Sequence, residues 1–182
     1  MGIVLLVLLV LVALWVMGAY NGLISLKNQV LNAWKQIDVQ LKRRHDLIPN
    51  LVNTVKGAMA FERGTLEAVI SARAKALSAT GVAATAKAEG ELTQAVGRLF
   101  ALAENYPELK SSANVLQLQE ELGGTENKIS FARQLYNDTA THYNTKQAQF
   151  PTNLVAGLAK ASLAELWQIT DEGERAVPKV QL

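Results

Sequence analysis

The sequence predicts an all-α protein: a long antiparallel helical bundle of about four helices, the first of them long and kinked at Pro49, carried on an N-terminal transmembrane helix. Three observations lead there. The chain opens on an apolar run without a charged side chain before Lys27. Beyond it, apolar residues recur at helical spacing and no stretch alternates convincingly as a strand does. The composition is 49% hydrophobic but only 6% aromatic, and alanine fills much of the difference, a balance that suits close-packed helices. A chain of 182 residues has room for one domain and an appendage. The absence of cysteine excludes a disulfide framework and a thiolate zinc site, and leaves the compartment open.

The opening reads "MGIVLLVLLVLVALWVMGAYNGLIS". A helix from Ile3 to Leu23 would span roughly 30 Å at about 1.5 Å per residue, the thickness of the hydrocarbon core of a bilayer. A cleaved signal peptide fits less well, since no Lys or Arg precedes the run and the run exceeds a usual apolar h-region. Residues 1–22 are therefore read as a retained anchor, 23–170 as the helical domain and 171–182, "DEGERAVPKVQL", as an exposed tail. Lys27, Lys35, Lys42, Arg43 and Arg44 all follow the span, so the positive-inside rule places the domain in the cytoplasm. Trp15 and Tyr20 stand where aromatic side chains meet headgroups.

The helices follow from spacing. Leu23, Leu26, Val30, Ala33, Ile37, Leu41, Arg44 and Ile48 form one stripe. Only Gly22 separates it from the anchor, so the two form one rod. In "QIDVQLKRRHDLIPNLVNTV" Pro49 lacks an N–H and crowds the carbonyl of His45, which predicts a kinked but continuous helix with Pro49 as a structural hinge. Side chains of Arg43, Arg44, Asn50 or Asn53, or a water, are the expected donors to the freed carbonyl. The stripe resumes as Val52, Val55, Met59, Glu62, Leu66, Val69, Arg73 and Ala76. "SATGVAATAKAEG" shows no periodicity and reads as a connection, followed by a helix over about Ala88–Asn105 that Pro107 ends. Asn114 and Gln117 have the form of a capping box. After them Val115, Leu118, Leu122, Thr125, Ile129, Ala132, Tyr136, Thr139, Tyr143 and Lys146 make a long, partly polar seam, which suits a bundle with mixed contacts. Gly123 and Gly124 within it suggest a close helix contact. Phe150-Pro151 ends this helix, and a shorter one is expected over about Asn153–Thr170, carrying Leu154, Leu158, Leu163, Leu166 and Trp167.

Chemistry finds little foothold. His45 and His142 occur without an H-E-x-x-H or E-x-x-H frame; Asp138 and His142 share a helix face, where a solvent-side hydrogen bond is favoured over metal ligation. Glu120, Glu121, Glu126 and Asp138 fall off the seam and read as a solvated face. Nucleophile elbows, S-x-x-K frames and phosphate-cradling glycine motifs are missing. No catalytic, cofactor-binding or metal residue is assigned, no cofactor is expected, and the chain reads as a non-enzyme. From Lys27 to Lys75 nine Lys/Arg face four Asp/Glu, a balance of +5; from Ala76 onward nine face twelve, a balance of −3. Either the two halves pack and neutralise one another, or the basic part lies near anionic lipid. Lys42, Arg43, Arg44 and Trp167 are the possible lipid or partner contacts. The basic triplet lacks the aromatic interleaving of a nucleic-acid surface, and no nucleic-acid partner is expected.

The blocks "YNGLISLKNQVLNAWKQIDVQLKRRHDLIPNLVNTVKGAMAFE", "NVLQLQEELGGTENKISFARQLYNDTATHYNTKQAQFPTNLVAG" and the closing "VPKVQL" resemble the LemA family from end to end. The resemblance implies a bacterial protein anchored by one N-terminal helix, with an antiparallel helical bundle on the cytoplasmic side of the inner membrane. It also implies kinship with a magnetosome protein tied to membrane organisation, and it supplies no catalytic residues to carry over. The functional expectation is a non-catalytic membrane protein that forms a homo-oligomer or scaffolds protein partners at the inner membrane. The alternative is an anionic-lipid-binding or membrane-remodelling protein, using the basic front half and the apolar residues near Leu163, Leu166 and Trp167.

Overall fold

The computed structural model of the chain describes residues 1–59 and 61–168; the tail at 171–182 lies outside the described residues. Its elements are α1 (Gly2–Val55), α2 (Arg63–Ser78), α3 (Val82–Ala103), the single turn α4 (Pro107–Lys110), α5 (Ala113–Ala148) and the single turn α6 (Asn153–Ala156). No strand occurs among the described residues, so the protein is all-α, as its periodicity predicts. Among the described residues two compact units can be separated, one of residues 1–36 with 132–166, the other of residues 37–131 with 167–168; α1 and α5 each contribute to both.

In the first unit, the apolar start of α1 is exposed all round, and this helix is long and apolar enough to cross a membrane. Burial begins at Leu23 and continues through Val30 and Ala33. The partner helix is the C-terminal part of α5, where Trp34 meets Tyr136 edge-on at 5.4 Å between ring centroids, a geometry aromatic quadrupoles favour. The seam of α5 departs from strict alternation beyond Tyr136: Ala140 and Gln147 are buried, whereas Lys146 is exposed and Thr139 only half-buried. A step of four inserted at Tyr136 accounts for this, since a straight helix drifts against a seven-residue repeat.

The helix expected over 153–170 shrinks to α6. Lys160 takes a left-handed φ of 46°, which costs a side chain with a Cβ energy and does not propagate a right-handed helix. Residues 161–168 are irregular, and side chains of α5 supply hydrogen bonds in place of a helix. The Asn144 amide donates to the Ala164 carbonyl and accepts the Ala164 N–H, each at 2.8 Å, as a neighbouring strand would. Tyr136 Oη donates to the Glu165 carbonyl at 2.7 Å. Burial, and then the nearby Glu165 carboxylate, push the Tyr136 phenol above its usual pKa, because both disfavour the phenolate.

In the second unit α1 ends at Val55, and the turn that follows buries Met59 completely. The stripe read as continuous through Glu62 thus belongs to two helices. α2 returns antiparallel along α1, bringing Arg73 to His45. α3 packs on α2 and the start of α5 completes the set, with Ile48, Leu51, Val55, Val69, Leu92, Leu99, Val115 and Leu122 in one core. α3 begins at Val82, not near Ala88, so the connection contracts to residues 79–81. Alanine has the highest helix propensity, yet an alanine-rich segment displays no periodicity by hydrophobicity alone. Thr85, Ala86, Ala88 and Glu89 are its buried face. α5 likewise starts earlier than the proposed cap: the Ser112 carbonyl accepts the Leu116 N–H at 3.0 Å, and Asn114 lies inside the first turn.

Gly123 and Gly124 do not mark a close helix contact. A Cβ built on either meets nothing within 4 Å. Gly123→Ala and Gly124→Ala should therefore each stabilise the fold by about 0.5–1 kcal/mol, through reduced backbone freedom in the unfolded chain and higher helix propensity. Gly81→Ala, at φ 86°, should destabilise it. Urea unfolding of the three variants checks both signs.

Candidate functional site

The polar centre of the second unit grows out of the stretch around Pro49. Arg44 and His45 fall on the buried side of α1, three and four residues after Leu41. Each is therefore held inside by the same helical spacing that buries Leu41 and Ile48. Their partner is Glu89 of α3, which is fully buried. Arg44 Nη1 donates to Glu89 Oε2 at 3.2 Å, and His45 Nε2 lies 2.6 Å from Glu89 Oε1. With the carboxylate ionised it can only accept, so His45 Nε2 carries the hydrogen of that bond. Arg44 also donates from Nη2 to Thr93 Oγ1 at 2.8 Å and pairs with Glu126 Oε2 at 3.0 Å. Thr93 Oγ1 in turn donates to the Glu89 carbonyl at 3.0 Å. One cation thus joins α1, α3 and α5.

Arg73 adds α2. Its Nε donates to the His45 carbonyl at 2.8 Å. That carbonyl is the acceptor left without an intrahelical partner because residue 49 is proline. α1 runs through Pro49 unbroken, and the donor to the freed acceptor comes from a neighbouring helix, not from Arg43, Arg44, Asn50 or Asn53. All four long helices of this unit consequently place a side chain or a main-chain group in one hydrogen-bonded cluster.

The residues proposed as contacts divide. Lys42 and Arg43 are exposed. Lys42 Nζ meets Asp46 Oδ2 at 2.6 Å, and this bond holds the Asp46 carboxyl below the usual carboxylate range, against a smaller opposing effect of desolvation. Arg44 is buried and fully engaged, and Trp167 is buried as well; neither presents a surface to lipid or partner. Glu126, read as part of a solvated face, is half-buried and paired with Arg44. His142 and Asp138 are exposed, and no group of three His, Asp or Glu suited to a metal occurs among the described residues.

Sequence reasoning missed Glu89 and Arg73 as members of this cluster. A signal existed: Arg44 and Arg73 occupy apolar stripe positions, and a buried cation needs a buried anion or carbonyl. The anion was hidden because its segment read as a loop. Chemically, the cluster is closed. Each oxygen of Glu89 accepts one of these bonds and the side chain is fully buried, so it clamps helices and presents no face to a substrate. A groove between α2 and α3 is lined by Gly64, Ala68, Ser71 and Arg98 and edged by the Lys75–Glu91 pair at 3.3 Å.

The fold and this cluster describe a helical-bundle protein with an apolar N-terminal helix, and sequence comparison places it further. The LemA family model matches residues 33–182, and the chain belongs to the LemA family. It is 33% identical over 141 residues to Protein LemA of Metamycoplasma hominis, covering 76% of this chain and 64% of that protein's length. It is 24% identical over 189 residues to Magnetosome protein MamQ 2 of Paramagnetospirillum magneticum, and 21% identical to Magnetosome protein MamQ of Magnetospirillum gryphiswaldense. Each match covers 90% of this chain and 70% of the relative. None of these names is that of an enzyme.

Three outcomes test the cluster. Glu89→Ala removes the one partner of His45 Nε2 described above and leaves buried Arg44 with only half-buried Glu126 and Thr93; it should cost about 3 kcal/mol in urea unfolding, whereas an apolar replacement of the Arg44–Glu89 pair together should cost far less. Arg73→Gln should cost about 1–3 kcal/mol by leaving the His45 carbonyl unsatisfied. In a Pro49→Ala background, which restores an N–H to that carbonyl, the Arg73 cost should shrink; an unchanged cost would break the link between the two. For Asp46, whose folded pKa is depressed, the Lys42 contact contributes above the ordinary carboxylate range and is lost as pH falls through the folded pKa. The carboxyl resonance in Lys42→Ala should titrate at higher pH than in the unaltered chain.

Proposed function

We propose that the protein is a non-catalytic, single-pass membrane protein of the bacterial inner membrane whose cytoplasmic helical domain scaffolds partners, a second copy of itself first among them. The observation that carries this reading is the continuity of α1, Gly2–Val55, in which one helix holds both the apolar span and the buried face of the helical domain. A partner bound by the domain would be tethered to the bilayer through a helix instead of a flexible linker. The cations after the span support the cytoplasmic orientation.

The domain has surface for such a partner. On α2, Ile70 and Leu77 are exposed two turns apart, and Phe61 just before that helix is almost wholly exposed. Such residues are spent poorly against water and well against another apolar face. The magnetosome names of two relatives fit a role in organising a membrane-bound structure. Lys42 and Arg43 keep an anionic-lipid or acidic-partner contact in play as the alternative, without Arg44 or Trp167.

Mass measurement of the full chain in mild detergent should give more than one copy per particle, and Ile70→Asp with Leu77→Asp should lower that mass. A strict monomer at micromolar concentration would argue against self-assembly. Flotation of the anchor-deleted domain with anionic vesicles tests the alternative, which requires salt-sensitive binding that weakens in Lys42→Ala/Arg43→Ala.

A further inference from the structure

Within the first unit, the level of each residue relative to the apolar span can be read from pairing. Trp34 and Tyr136 are in contact on antiparallel helices. Eleven residues further toward the span on each helix stand Leu23 and Gln147, both buried. Ala148, the last residue of α5, is thus level with the end of the Ile3–Leu23 span. The chain then continues past it. A groove lined by Trp15, Gly18, Gly22 and Leu26 of α1 also takes in Lys146 and Thr152, so the segment after α5 lies beside the last turns of the span.

That segment is apolar on both sides. Thr152, Val155 and Ala159 are buried against the unit, whereas Phe150, Leu154 and Leu158, spaced by four, are 79%, 67% and 69% exposed. The inward face packs the segment against the unit. Its outward face has no counterpart among the described residues. Lys146 and Lys160 flank it, both exposed, and a lysine at such a level can extend its ammonium to headgroup phosphate while its stem stays in apolar surroundings. Three large apolar side chains on one face, rimmed by cations and set at the exit of a membrane helix, have the composition of an interfacial anchor.

We infer that Phe150, Leu154 and Leu158 form a second membrane contact, seated in the headgroup–acyl boundary beside the exit of α1, with Lys146 and Lys160 facing lipid phosphate. The occupant of this face is lipid. The inference rests on α1 spanning the bilayer, the reading made above. Its consequence is orientational: a single helix can rotate and tilt, whereas a helix and an adjacent apolar ridge define which side of the first unit faces the membrane.

The chain has no cysteine, so single-cysteine variants can carry a polarity-sensitive fluorophore without background. Leu154→Cys and Leu158→Cys are labelled in the full chain reconstituted in phosphatidylcholine/phosphatidylglycerol vesicles, with Leu9→Cys reporting the span. Leu135→Cys, about 18 Å beyond the end of the span at roughly 1.5 Å per residue, reports water. Labels at 154 and 158 should be quenched several-fold more than the label at 135 by a nitroxide placed shallow on the acyl chain, and several-fold less by aqueous iodide. If they match the label at 135 while Leu9→Cys is quenched from within the bilayer, the second contact is overturned and the span stands. If they are shielded from iodide but untouched by lipid nitroxide, protein covers the face and the lipid assignment is overturned. If the label at 9 is not lipid-quenched, the span reading fails and the inference falls with it.

Discussion

The arrangement of the second unit depends on one buried carboxylate. Glu89 brings a negative charge into a helical interior, where an unpaired ion would cost far more than any single apolar contact returns. The sequence around it answers with Arg44 and His45, adjacent on α1, and each takes one oxygen. Because Arg44 also reaches Thr93 and Glu126, the register of α3 and α5 against α1 is set by hydrogen-bond geometry as well as by apolar volume. Apolar seams tolerate sliding by a turn. A charge network with defined partners does not.

Pro49 belongs to the same constraint. A proline in a helix interior leaves a carbonyl one turn back without its donor, and here that carbonyl is His45's, on the residue whose side chain meets Glu89. Arg73 supplies the donor from α2. The defect in one helix is thereby turned into a bond between two, and the cationic groups Arg44 and Arg73 balance the carboxylates Glu89 and Glu126 across the cluster. The opposed charge of the two parts of the chain is partly spent here, and Lys75 with Glu91 adds an exposed instance; exposed pairs of that kind contribute little, about 1 kcal/mol at most.

In the first unit, by contrast, the constraint is solvent. The start of α1 buries nothing against the protein, and packing begins at Leu23 with small and aliphatic side chains, joined by the Trp34–Tyr136 contact. Asn144 and Tyr136 then hold an irregular segment by its main chain. Those bonds matter because a segment without helix or strand still has an N–H and a carbonyl at each residue to satisfy.

The amino-acid sequence by itself determined the fold class, the apolar span, the kinship with the LemA family and the continuity of α1 through Pro49. These are local properties, set by the spacing of apolar residues and by backbone chemistry. It also placed Arg44 and Arg73 on apolar stripes, which was half of the cluster. Only the tertiary structure decided which groups meet them. Glu89 sits in an alanine-rich helix whose face is invisible to hydrophobic periodicity, and the Arg73 donor comes from 28 residues away along the chain. Arg43 and Arg44 are neighbours in sequence with opposite fates, one exposed and one buried, because a helix turns about 100° between them. The same physics ended the last expected helix at α6: a residue held in left-handed geometry and side-chain amides across the interface outweighed a helical pattern that was locally sound.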